Sequence, residues 1–270
     1  MKIISPKFDF CMKELFRHTE IVKYFLCDML DIPAEEIHSI ELKNTFLWKR
    51  YRNHKQGILD VLLEMNNNTK INIELQIKVI KHWDSRELFY AGKLLTDDLW
   101  VGADYSNIKR CIMISILDFN FTENEEYHHI YRLMNSQGEV FSDLLEIHIL
   151  ELNKKLKGNK PENNWINLFN AESEVDLNMI QTKNPGLLEA IEEVRKMSLT
   201  GMLRVMYEAR LKEKRDQRAR DAYVREEGKE LERQRMSQLL QKMHDNGEDS
   251  LMPQLTDIHF LEEMYKKYGL

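Results

Sequence analysis

The chain has 270 residues, 43% of them hydrophobic, enough for one large domain or a domain with an appendage. Its formal net charge of −6 and pI near 5.9 exclude a broadly basic surface that would coat nucleic acid without selection, though not a local basic groove. No apolar run reaches the roughly 20 residues needed to span a bilayer. Lys7, Asp9, Lys13 and Glu14 interrupt any leader-like apolar stretch, and Cys11, Cys27 and Cys111 form neither a disulfide framework nor a zinc spacing. The expectation is a soluble cytoplasmic protein.

In residues 8–31, Phe8, Met12, Leu15, Phe16, Val22, Phe25, Leu26 and Leu30 recur at three-to-four spacing and predict one helix with a core-facing stripe. Pro33 followed by Ala34, Glu35 and Glu36 reads as a second helix start. Residues 37–42 alternate as a first strand, and residues 57–78 read as a hairpin. A helix over about 84–100 and a buried strand over 111–117 come next, and alternating runs near 127–134 and 141–151 extend the sheet. His128 and His129 are adjacent, so on a strand they point to opposite faces and cannot share one metal ion. Strands with helices between and around them predict an α/β layered domain.

The lysines at 154, 155, 157 and 160 mark a loop, and residues 165–200 read as short helices. From 202 to 243 the chain is dense in charge and nearly free of breakers, with Glu208/Lys212 and Asp221/Arg225 paired four apart. Its apolar residues do not keep heptad spacing, so a projecting or partner-docked helix is expected rather than a coiled coil. Arg210, Arg215, Arg218, Arg220 and Arg225 either track phosphates or form a solvated face, and Gly228 marks a kink or a joint between two helices. A small helical module ends the chain. The resulting division is a core over 1–155, a linker and short helices over 156–201, a charged helix over 202–243 and a terminal module over 244–270.

The hairpin carries the chemistry. Two runs rich in Ile, Leu and Val flank Asn66, Asn67 and Asn68, and each run holds an acid where an apolar residue is expected. With those three residues as the loop, Met65 pairs with Thr69, Glu64 lies opposite Lys70 as a favourable cross-strand pair, and Asp60 lies opposite Glu74. Opposed residues share a face with Cβ atoms about 4.5–5.5 Å apart, where two carboxylates repel unless a cation or a proton joins them. Hard oxygen donors suit Mg²⁺ or Mn²⁺. A four-residue loop would shift the register by one and put the acids on opposite faces.

Alternation puts Glu74, Gln76 and Lys78 on one face and Ile73, Leu75, Ile77 and Val79 on a core face. Asp60 and Glu74 could hold a cation, Gln76 could position water, and Lys78 could supply charge beside a phosphate. The competing reading is an exposed strand face whose Asp, Glu and Lys are simply solvated. Arg86 and Tyr90, four apart on the next helix, share a face that could line such a site.

The ordered series resembles the recombination-promoting nuclease and transposase branch of the PD-(D/E)XK nucleases. It opens with Asp9-Phe10-Cys11-Met12-Lys13-Glu14-Leu15-Phe16, with Met12 where the family has an aromatic. It continues through Asp60, Glu74-Leu75-Gln76, Arg86, Tyr90, the strand 112–117 and the run 145–152. It covers roughly the first 155 residues, and the charged stretch from Ala222 through Gly228 also resembles the family's tail.

The resemblance implies a restriction-endonuclease-like core with a mixed sheet flanked by helices, plus a helical C-terminal extension. It also implies divalent-metal-dependent DNA cleavage and a link to recombination or mobile elements. Asp60 and Glu74 fall on the metal-binding acids, with the Leu75 carbonyl as a third donor. Gln76 falls where the superfamily more often has a lysine, which Lys78 or Lys13 could replace. Glu14 falls where some members add another acid, and Lys13, Arg86 and Tyr90 fall on substrate contacts. The expected function is an Mg²⁺- or Mn²⁺-dependent DNA endonuclease, with a homodimer suited to double-strand cutting. Two rivals stay open: a nuclease fold without catalysis that binds DNA or protein, and an interaction protein whose charged helix recruits a partner.

Overall fold

In the computed structural model, residues 2–47 and 57–270 are described. They divide into two compact units, residues 1–204 and 205–270.

The first unit opens with α1 (Asp9–Leu15) and α2 (Thr19–Leu30), where the apolar stripe predicts a single helix. No glycine or proline breaks the run. The turn through Phe16, Arg17 and His18 brings the Phe16 ring to 4.9 Å from that of Phe25, so tertiary packing overrides local periodicity. Pro33 leads only a 3-10 turn, Ala34–Glu36. Strand β1 (Ile40–Leu42) follows. Short strands β2 (Phe46–Leu47) and β3 (Gly57–Ile58) pair with each other apart from the main sheet.

The hairpin is β4 (Val61–Met65) and β5 (Thr69–Gln76), joined by Asn66, Asn67 and Asn68. Asn66 and Asn67 take positive φ, which asparagine tolerates better than most residues. Met65 pairs with Thr69, Glu64 with Lys70 and, last, Val61 with Ile73; carried one position further, that register sets Asp60 opposite Glu74. The Glu64–Lys70 ion pair itself is not among the contacts. Glu64 meets Lys109 and Lys43, and Lys70 reaches Asp98 at 2.8 Å. β5 stops at Gln76, so Ile77 and Val79 are exposed rather than part of a core face.

Helix α3 (Trp83–Thr96) crosses to β6 (Arg110–Leu117), then β7 (His128–Met134) and β8 (Val140–Glu151) complete the sheet in the order β1-β4-β5-β6-β8-β7. The pairs β5–β6 and β6–β8 are parallel, and the rest are antiparallel. One face of the sheet packs on α3 through Leu62, Tyr90, Ala91, Leu94, Cys111 and Met113. Helices α4 (Glu162–Asn170), α5 (Glu174–Met179) and α6 (Pro185–Leu199) follow, and Phe25 of α2 stacks edge-on against Trp165 and Phe169 of α4. Gly186 lets α6 approach α2: a Cβ there would lie 2.6 Å from the Glu20 carbonyl oxygen and 2.7 Å from Tyr24 Cβ.

Helix α7 (Gly201–Asp245) is a single helix of 45 residues, so Gly228 is not a joint between two helices. A 3-10 segment, Asp249–Thr256, and α8 (Ile258–Tyr268) follow. The second unit has its own small core of Leu239, Met243, Met264 and Tyr265. No described helix is long and apolar enough to cross a membrane.

Candidate active site

The polar face of β5 is not solvated. α3 covers it, leaving Glu74 4% exposed and Asn72 fully buried. This rules out the simple solvated-strand reading. Asp60 precedes β4 by one residue, and its Oδ2 accepts a hydrogen bond from the Leu75 backbone N–H at 3.3 Å. That bond ties the acid to the strand carrying Glu74. Lys13 of α1 reaches Asp60 Oδ1 at 3.4 Å and Asp9 at 2.8 Å. A lysine therefore enters the site from the first helix.

Glu74 is under-neutralised. Its Oε1 is buried without a hydrogen-bond partner, and its Oε2 is 3.7 Å from the Arg86 guanidinium. Burial, then the neighbouring charges of Glu87 and Asp60, push its carboxyl up to about 8 against the weaker pull of Arg86. Burial likewise raises Asp60, with Lys13 opposing it. Arg86 Nε donates to the Tyr90 hydroxyl at 3.2 Å, and the guanidinium lies 5.2 Å from the Tyr90 ring centroid. The predicted i, i+4 pair thus forms one unit beside Glu74.

The remaining predicted residues are placed differently. Gln76 is half-buried at the strand end, and its Nε2 donates to the Lys78 carbonyl at 2.7 Å. Lys78 is exposed beyond the strand, and Glu14 pairs with Arg17 at 3.3 Å within its own helix region.

Three polar residues beside the site escape the sequence argument. Glu87 of α3 is 3% exposed; its Oε1 accepts from Ser115 Oγ at 2.9 Å while Oε2 has no partner. Burial pushes Glu87 up to about 7, against the Ser115 hydrogen bond and the Arg86 charge. Asn72 has no partner for either side-chain atom. A signal for Glu87 is present in hindsight: Trp83, Tyr90, Ala91 and Leu94 are the buried stripe of α3, and Glu87 is the acid within it.

This donor set fits a hard divalent cation. The Asp60 carboxylate is tied to the strand of Glu74 through the Leu75 N–H, and Glu74 has a buried oxygen without a hydrogen-bond partner. No described group of three or more His, Cys, Asp or Glu could hold a metal ion by itself, so a cation here would also need the Leu75 carbonyl and water. Mg²⁺ commonly keeps several waters and binds through one or two carboxylates.

Residues 6–223 match the family model of the PD-(D/E)XK nuclease family transposase. The chain belongs to this family. The match extends past the first 155 residues and ends within α7, so most of the tail resemblance lies outside it. The mixed six-stranded sheet with flanking helices is accordingly the restriction-endonuclease-like fold of PD-(D/E)XK nucleases. Family membership makes the chain a nuclease-type protein associated with mobile elements. No curated protein and no solved structure matches the chain.

Proposed function

We propose that this PD-(D/E)XK family member is a divalent-metal-dependent DNA endonuclease, with Mg²⁺ or Mn²⁺ as its cofactor. The observation that carries the reading is the buried, unpartnered Oε1 of Glu74 opposite Asp60 in an otherwise well-packed hairpin. Native folds rarely leave such an atom without a partner or a use.

In this reading Asp60, Glu74 and the Leu75 carbonyl hold the cation. When bound, it supplies Lewis-acid polarisation of a phosphate and a lower pKa for a bound water. The remaining work falls to side chains. Nε2 donation to Lys78 fixes the orientation of the Gln76 amide and leaves Oε1 to accept a hydrogen bond from, and so orient, the attacking water. Lys13, rather than the exposed Lys78, is the better placed cation for the superfamily's lysine role. Arg86 holds a phosphate oxygen, and Tyr90 fixes the guanidinium in place. Cutting both strands would suit a homodimer, and the biological setting would be recombination or mobile-element movement in the cytoplasm.

Plasmid nicking with Mg²⁺, Mn²⁺ or EDTA, wild type beside Asp60→Ala, tests this directly. Metal-dependent cutting that the mutant loses is the expected result. Absence of cutting by folded wild type with either metal would favour a DNA- or protein-binding module built on the same fold, in line with Gln76 standing where a lysine is more common.

A further inference from the structure

The edge of the sheet at β7 is open and apolar. Among the described residues the sheet runs from β1, three residues long, to β7, seven residues long. Edge strands are usually blunted by lysine, proline or a covering segment, because their unpaired N–H and C=O groups recruit other strands. β7 holds neither lysine nor proline. Its Ile130, Tyr131, Leu133 and Met134 are each 44–47% exposed. Its one arginine, Arg132, is engaged within the subunit: Nε donates to Glu146 at 2.9 Å. The regular stretch ends there, since the pairing with β8 shifts between Arg132 and Leu133.

The backbone decides which groups face outward. The Glu151 N–H donates to the Tyr127 carbonyl at 2.7 Å. Hydrogen-bonded pairs alternate along an antiparallel ladder, so His129 and Tyr131 turn their backbone groups toward β8, and His128, Ile130 and Arg132 turn theirs away. His128 is withdrawn, with its side chain 9% exposed. Ile130 and Arg132 are left to offer two donors and two acceptors to a further strand. No described strand of the chain is spare for this: β2 and β3 pair with each other, and the rest already lie in the sheet.

We infer that β7 pairs with β7 of a second copy of this chain, antiparallel about a twofold axis at Tyr131. An isologous interface must be self-complementary, and the position of the axis decides whether this one is. Centred on Arg132, two guanidiniums would oppose each other. Centred on Ile130, Arg132 would need the partner subunit's His128, which is withdrawn into its own fold. Centred on Tyr131, Ile130 faces the partner subunit's Arg132 in a hydrogen-bonded pair on each side of the axis. The two Tyr131 residues then meet at the closer, non-hydrogen-bonded position, where cross-strand aromatic pairs contribute. Arg132 stays on Glu146, so its apolar stem lies beside Ile130. Tyr131 and Leu133 also line an apolar cavity with Trp83 and Leu88 of α3, so pairing covers apolar surface as well as backbone. One short strand thus supplies both halves of the interface without opposing like charges. This gives the proposed homodimer a surface, and it stands without the cleavage reading.

The test is sedimentation equilibrium of the full chain over micromolar concentrations, with Ile130→Lys and Ile130→Glu beside wild type and circular dichroism checking each fold. Wild type should dimerise. Arg132 shares Glu146 with Arg110, so the guanidinium facing Ile130 is only partly neutralised. Ile130→Lys should therefore weaken dimerisation by about tenfold or more, because the twofold repeats the clash. Ile130→Glu should keep the dimer and make it salt-sensitive. A monomeric wild type overturns the inference, as does a dimer that neither substitution weakens or that both weaken equally. Amide exchange of wild type needs no variant: the Ile130 and Arg132 N–H groups should be protected at high concentration and lose that protection on dilution. Exchange independent of concentration would also overturn the inference. None of these results bears on cleavage by the Asp60 and Glu74 site.

Discussion

Glu74 and Glu151 are both buried glutamates near the ends of parallel strands that flank β6 on either side, and they differ in one respect. Glu151 is fully buried and saturated. It accepts from the Phe121 backbone N–H at 2.7 Å and the Thr122 hydroxyl at 2.7 Å, and it meets Lys154 at 3.0 Å and His129 at 3.2 Å. Glu74 is almost as deep, yet one oxygen has no partner and the nearest cation stands 3.7 Å from the other. Burial alone therefore does not mark a site. A buried acid whose partners come from the fold is part of the fold, and one whose partners are missing is the candidate for a ligand, as the proposed function takes Glu74 to be.

Four measurements sharpen or break that contrast. Asp60→Ala should lose DNA cleavage to background while keeping its circular dichroism; full activity would remove Asp60 from the site. Glu151→Ala should destabilise the protein by about 3–5 kcal/mol in chemical denaturation, because Lys154 would be left buried without its counter-charge. A loss below about 1 kcal/mol would show that Glu151 is not the structural member of the pair. Arg86→Lys keeps the charge but loses the planar contact with Tyr90, and should lower cleavage by about 10–100-fold at unchanged thermal stability. Activity equal to wild type would leave that contact without a role.

The smallest effect concerns pH. Glu74 moves from an ordinary 4.5 in the unfolded chain to about 8 in the fold. A raised acid contributes stability that is present below the unfolded value and lost as pH rises through the folded one. In EDTA the melting temperature should therefore fall by several degrees between pH 5 and 8. Glu74→Gln should flatten the fall, with Glu87 leaving a residual slope. An equal slope in both proteins would mean that Glu74 is not the group that titrates.

Much of this was legible in the residues. Three asparagines between two runs rich in Ile, Leu and Val predicted the hairpin, and of the two registers that the loop allowed the structure has the one with three loop residues. The Arg86 and Tyr90 pair followed from helical spacing alone. Partners contributed by distant segments were harder to read. Local spacing cannot show that α3 buries the polar strand face, that Ser115 binds Glu87, or that Glu64 and Lys70, though opposed, each find a different ion pair. The break after α1 was hidden for the same reason, since Phe16 turns toward Phe25 for tertiary packing and not at any breaker residue.

Asn66 gives the hairpin a genetic consequence. Its Oδ1 accepts from the backbone N–H groups of His38 and Ser39 at 2.8 and 3.2 Å, and its Nδ2 donates to the Glu36 carbonyl at 2.7 Å. One side chain thus anchors the loop to the segment entering β1. A codon inserted among the three asparagines could be absorbed by a four-residue loop with the strand pairing kept, whereas a missense change at Asn66 removes all three of these hydrogen bonds at once. The turn would thus tolerate a change in the length of its gene segment better than a change in its spelling.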